Sequence, residues 1–183
     1  MIIPIVGIPV SGKSSLLKSV MDSLGEPERI KFGKDYKCTQ FNDILVLGYY
    51  EEETFSGTDS WRYSTIATGL FEEFIFAQIK NYRHIIFEGD RLTSKVRFLV
   101  ENFNTTVFML TVDQEQERIR QDARGNKQNP RWIKSRHSQM KNLHAHDSIK
   151  PHLLVRENNS AEQARTIHTE IIDLLRQQKP LAL

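Results

Sequence analysis

The sequence predicts an α/β protein, a three-layer α/β/α sandwich built on a mostly parallel sheet. Three observations carry the prediction. Short runs at 2–6, 84–88 and 105–112 are built around consecutive apolar residues, as strands covered on both faces are. Between them lie segments whose apolar residues recur at helical spacing. The two kinds alternate, which implies right-handed crossovers that stack helices on both faces of one sheet. At 183 residues, with 39% hydrophobic and 26% charged, the chain has the length for a single domain over 1–183 with a substantial core.

The first strand runs straight into Gly7-Ile8-Pro9-Val10-Ser11-Gly12-Lys13-Ser14, a full match to G-x-x-x-x-G-K-[ST]. Helical sequence follows from Ser15 and ends near Leu24-Gly25, where Pro27 blocks continuation. Strand, glycine loop and helix in that order form a phosphate cradle. Gly7 and Gly12 allow backbone angles closed to other residues, so the loop residues Gly7, Pro9, Val10, Ser11 and Gly12 to Ser15 can surround one anion, with N–H groups from all of them but the proline. Lys13 is placed to reach the β- and γ-phosphates, and the Ser14 hydroxyl to ligate Mg²⁺. The predicted ligands are ATP and Mg²⁺.

Farther along, 37–41 and 44–50 read as two strands joined by a tight Asn42-Asp43 turn, an antiparallel ribbon at an edge or on the rim. Glu51-Glu52-Glu53 reads as a solvated loop. The turn cluster at 55–60 leads into a helix over 61–81, with Thr58 or Asp59 as N-cap. Ile66, Leu70 and Phe74, with Ala67, Phe71 and Ile75, form its core stripe. A short helix is expected over 94–101. Asp113 with Gln116 opens another helix in the manner of a capping box. That helix carries Arg118, Arg120 and Arg124 to a break at Gly125. A helix over 130–143 enters through Pro130, 153–155 is the last strand, and Ser160 with Gln163 caps a final helix buried through Ala164, Ile167, Ile171, Leu174 and Leu175.

Phosphoryl transfer asks the protein mainly to position groups and neutralise charge. The strand at 84–88 ends in Glu88-Gly89-Asp90-Arg91. Glu88 and Asp90 share parity, so either can hold the metal while the other orients an acceptor hydroxyl; a salt bridge from the strand-end carboxylate to Arg91 is the structural alternative. Arg120 and Arg124, four apart on one helix, suit a lid over about 114–143 that closes on the γ-phosphate, its tip at 125–130. Asp59, beside Arg62, is either a proton acceptor for the incoming hydroxyl or a plain cap. His144-Ala145-His146-Asp147 has metal-like types without a partner cluster.

Net charge is only +2, yet it is distributed unevenly. Residues 42–60 hold five acids and no lysine or arginine, whereas 118–141 hold eight basic residues against Asp122 alone. The basic window reads either as a solvated helical face or as a phosphate-facing surface. Within it Trp132 either stacks on a base or packs the helix onto the core. The lone Cys38 suits a reducing cytoplasm, the apolar start reads as a strand and not a signal peptide, and no stretch has the length of a membrane span.

The phosphate loop, Val46-Leu47-Gly48-Tyr49-Tyr50, Phe55-Ser56-Gly57-Thr58-Asp59, Phe87-Glu88-Gly89-Asp90-Arg91-Leu92 and the Arg120/Arg124 pair together resemble the small P-loop kinases of bacteriophages. In particular they are similar to the 5-hydroxymethyluridine DNA kinases of thymidine hypermodification, over residues 2–143. The resemblance implies transfer of the ATP γ-phosphate to the hydroxymethyl group of a modified pyrimidine in DNA, with the base extruded into a pocket. Arg62, Arg91, Lys127, Arg131, Trp132, Lys134 and Arg136 would then face DNA. A kinase of nucleoside monophosphates or other small molecules is the alternative, and an ATPase switch a more distant one.

Overall fold

In the computed structural model, described for residues 1–33, 35–50, 57–67, 69–125 and 128–177, seven strands form one sheet in the order β2-β3-β4-β5-β1-β6-β7. The central strand, β1 (Ile2–Gly7), is buried along its whole length. It lies between β5 (His84–Glu88) and β6 (Val107–Thr111), parallel to both, with Ile3 opposite Ile86 and Ile5 opposite Phe108. β4 (Ile44–Leu47) and β7 (Leu153–Glu157) extend the parallel set outward. Connections leave β1 in opposite directions, so the crevice beyond its C-terminal end is where an open α/β sheet binds ligands.

Alternating side chains divide the core in two. Ile3, Ile5, Val46, Ile86 and Phe108 face one layer of helices, α1 (Lys13–Asp22) and α7 (Ala161–Arg176), through Leu17, Val20, Ile167 and Ile171. Ile2, Leu45, Leu47, Ile85 and Phe87 face the other, packed on α2 (Tyr63–Ala67), α3 (Leu70–Gln78) and α4 (Val96–Asn102). On that same side Val6, Val107 and Met109 meet α6 (Pro130–Ala145) through Met140 and Leu143. α5 (Gln114–Ala123) buries no side chain. The capping residues act as expected: Asp113 accepts from the Gln116 amide, Asn129 precedes Pro130 at the first turn of α6, and Ser160 accepts from the Gln163 amide.

Four local expectations are corrected. The ribbon has a third strand, β2 (Glu28–Phe32), antiparallel to β3 (Tyr36–Phe41). Its sequence Glu-Arg-Ile-Lys-Phe is half exposed and gives no buried run. The ribbon takes the edge of the sheet, one of the two places expected for it, and β4 joins it to the parallel strands through β5. The helix expected over 61–81 is two: α2 stops at Ala67 and Gly69, at φ 81°, opens α3. Trp61 therefore lies outside any helix, and Leu70 is exposed whereas Phe71, Phe74 and Ile75 are buried. Thr58 and Asp59 cap no helix; they begin a 3-10 turn, Thr58–Ser60, whose entry residue Gly57 makes no side-chain cap. Finally, 90–95 is 3-10, and α4 starts at Val96 instead of Ser94. The acidic loop 51–53 and the Phe55-Ser56 pair lie outside the described residues.

Candidate active site

The loop between β1 and α1 turns through two left-handed residues, Val10 at φ 60° and Gly12 at φ 90°. Gly12 is the N-cap of α1 and has no side chain to satisfy the helix's first amides, which leaves them for an anion. A Cβ there would overlap the Asn158 amide nitrogen. That nitrogen donates to the Ser11 carbonyl at 2.7 Å and so pins the loop. Lys13 Nζ reaches back to the carbonyls of Gly7 at 3.1 Å and Ile8 at 3.0 Å, with Asp90 Oδ1 at 3.5 Å.

Opposite this loop, three carboxylates converge. Glu88, at the end of β5, is 3% exposed. Burial pushes its carboxyl up to about 7 against the pull of Lys13; the charge of Asp59 adds to the rise, and a hydrogen bond from the Ser14 hydroxyl opposes it. Asp59 is also raised, by burial first and then by Asp90, while the Arg91 amide and guanidinium pull it down. The 3-10 turn is locked onto the strand end: Thr58 Oγ1 donates to the Glu88 carbonyl at 2.8 Å, and the Gly57 amide donates to Tyr49 O at 2.7 Å. Gly57, at φ 64°, brings its backbone so near that a Cβ would overlap Glu88 Oε1.

Arg91 donates to the Trp61 carbonyl, with its Nε 3.9 Å from Asp59 Oδ1. Among the described residues its ion-pair partner is thus Asp59 and not Glu88. Arg62 does not stand beside Asp59; it pairs with Asp35 at 3.4 Å and is largely exposed. Arg120 bridges two loops, donating to Val10 O at 3.2 Å and Asn158 O at 2.6 Å. Arg124, at the C-terminal end of α5, lines the same cleft as Lys13, Glu88, Asp90 and Trp132, a volume of about 900 Å³. Trp132 is half-buried in that wall with the Arg136 guanidinium 5.7 Å from its ring centre. Arg131 and Lys134 are exposed on α6, and Lys127 lies outside the described residues. Pro9, Val10, Gly12, Ser14 and Ser15 also line the cleft.

Asn158 is the site residue that sequence reasoning missed. It is 4% exposed, bonds the phosphate loop through its side chain and Arg120 through its carbonyl, and lines the cleft. The available signal was its position just beyond the last parallel strand, where the ligand crevice of such a sheet lies.

A parallel sheet with this loop at its switch point, a carboxylate ending the neighbouring strand and arginines on an overlying helix define a P-loop kinase. The sequence model of the P-loop Nucleotide Kinase3 family matches residues 1–155, and the chain belongs to that family. No curated protein matches the sequence. The chain is accordingly a nucleotide-binding phosphotransferase. Among the described residues, no helix is long and apolar enough to cross a membrane.

Proposed function

We propose that this kinase transfers the γ-phosphate of ATP to the hydroxymethyl group of a 5-hydroxymethyluracil base in DNA. One observation carries the choice of an alcohol as acceptor. The side of the cleft facing the phosphate loop presents Asp59, Glu88 and Asp90, while Arg91, the cation beside them, is bound to the Trp61 carbonyl. An acceptor that is itself a phosphate needs cations there. An alcohol needs a base, and a carboxylate whose pKa burial has raised, as at Asp59, supplies one. The basic window on α5 and α6 supports a polyanionic acceptor, as does the resemblance of the Glu88-Gly89-Asp90-Arg91 and Gly57-Thr58-Asp59 segments.

The roles divide as follows. The amides of Gly12 to Ser15 and the Lys13 ammonium hold the β- and γ-phosphates. Ser14 and Glu88 would hold Mg²⁺; the local donors are all oxygen, as a hard cation requires. When bound, the ion neutralises charge shared between the β- and γ-phosphates. Asp59 takes the proton of the acceptor hydroxyl as its oxygen bonds to the γ-phosphorus and the bond to the leaving ADP oxygen breaks. Asp59 Oδ1 is buried without a hydrogen-bond partner, ready to accept one. Asp90 holds Lys13 in line, and Arg124 closes on the transferring group.

The test is transfer of labelled γ-phosphate, with hydroxymethyluracil DNA, free hydroxymethyl nucleotides and nucleoside monophosphates offered in parallel. Labelled DNA is expected, abolished by Lys13→Ala and reduced about 10² to 10⁴-fold by Asp59→Asn. Label only in free nucleotides overturns the reading in favour of a small-molecule kinase.

A further inference from the structure

The cleft has basic residues on its lid side, but the opposite edge of the sheet carries a second group of cations. In the β2–β3 ribbon Lys31 stands directly opposite Lys37, and Arg29 opposite Thr39. Alternation along each strand puts Arg29, Lys31 and Lys37 on one face, and all three are exposed. The other face is fixed to the core. Phe32 meets Phe74 edge-on at 5.4 Å, Tyr36 stacks on Phe74 at 4.2 Å, and Tyr36 meets Trp61 at 5.0 Å. The ribbon therefore cannot roll to hide its cations. Tyr49 adds an aromatic ring on the cationic side, with Arg29 at 5.8 Å and Lys37 at 5.6 Å from its centre, and its hydroxyl donates to Ile30 O at 3.2 Å.

Like charges directly across a ladder are unfavourable unless an anion relieves them. Lysine on an edge strand commonly blocks edge-to-edge pairing. That accounts for Lys31 but not for Lys37, because β3 is paired on both sides. The cations also adjoin the acceptor loop. Trp61 Nε1 donates to the Lys37 carbonyl at 2.8 Å, and Arg62 pairs with Asp35 beside the ribbon.

We infer that this ribbon face, Arg29, Lys31 and Lys37 around Tyr49, grips the phosphate backbone of nucleic acid and holds it at the acceptor rim of the cleft. The inference deepens the proposed function and rests on DNA being the acceptor. A duplex held by the ribbon on one side and the lid helices on the other would be fixed while one base is drawn into the cleft. A membrane surface fits less well, since beyond the Tyr49 ring, which Arg29 and Lys37 overlie, this face offers no apolar side chain to a bilayer.

Fluorescence anisotropy with a labelled DNA duplex tests it. The double variant Lys31→Gln/Lys37→Gln should raise Kd about tenfold near 0.1 M salt and make the slope of log K against log salt shallower by roughly two. Lys31→Arg/Lys37→Arg should restore both, and transfer to a free hydroxymethyl nucleoside should be unchanged in either. A double variant indistinguishable from the native chain in Kd and slope overturns the inference and leaves the kinase reading intact. Native protein that binds phosphatidylserine vesicles but no DNA overturns the inference as well, and removes DNA as the acceptor with it. Ribbon-dependent DNA binding without phosphate reaching DNA would instead sustain the surface and remove DNA as acceptor.

Discussion

Glu88 sits where burial and a neighbouring lysine pull in opposite directions, and burial wins. A carboxyl raised from its ordinary value to about 7 binds its proton more tightly in the fold than in the unfolded chain. Between about pH 4.5 and 7 the native state therefore carries the extra proton, and stability falls as pH rises through that window. In metal-free, nucleotide-free protein at pH 8, Glu88→Gln should melt higher than the native chain, on the order of 5 °C for a chain of this size. The gain should vanish near pH 4, where both forms are neutral. Phosphotransfer by the same variant should be lost at every pH. Calorimetry across that range, showing no gain at pH 8, would refute the electrostatic account of the site. His84 runs the other way. Burial, the N-terminal ammonium and Arg83 push its imidazole down to about 4, so its contribution is complete above about 6.5 and is lost as pH falls toward 4.

At the scale of elements, the arginines of α5 separate. Arg120 is bound to Val10 and Asn158 and braces the phosphate loop against the β7–α7 turn. Arg124, one turn on, lines the cleft without those bonds. Arg120→Ala should weaken ATP binding at least tenfold, since two charge-assisted bonds that shape the loop are lost. Arg124→Ala should leave ATP affinity nearly unchanged and lower kcat by up to about 10³. Isothermal calorimetry beside steady-state kinetics reads the split; equal effects of both variants on affinity would erase it. The i, i+4 spacing made this pair legible as a unit in the sequence, but not the division of labour, because Asn158 comes from the β7–α7 turn far along the chain. The same limit governed the rest. Runs buried on both faces announced β1, β5 and β6, and the phosphate loop announced itself. β2 stayed hidden because its charged residues alternate onto an exposed face, and the break at Gly69 because one glycine in an apolar stripe is tolerated in many helices. Arg62 and Asp59 are close in sequence, yet the 3-10 turn sends their side chains apart.

For the whole molecule, the binding elements sit on a continuous core. β1 joins both layers of helices, and its end carries the phosphate loop, so ligand binding and global stability are coupled through one strand. We expect the chain to unfold in a single calorimetric transition with matching van't Hoff and calorimetric enthalpies, as one domain should. ATP at a hundred times its Kd adds about 2.7 kcal/mol to the folded state. Spread over a chain of this length, that raises Tm by about 5 to 10 °C. Lys13→Ala removes a side chain whose bonded partners among the described residues are loop carbonyls and Asp90, outside the apolar clusters. Its unliganded Tm should therefore match the native chain within about 2 °C, while most of the ATP-induced rise disappears. Two transitions, only one of them moved by ATP, would divide the chain into independent units and separate the phosphate loop from part of the core described here.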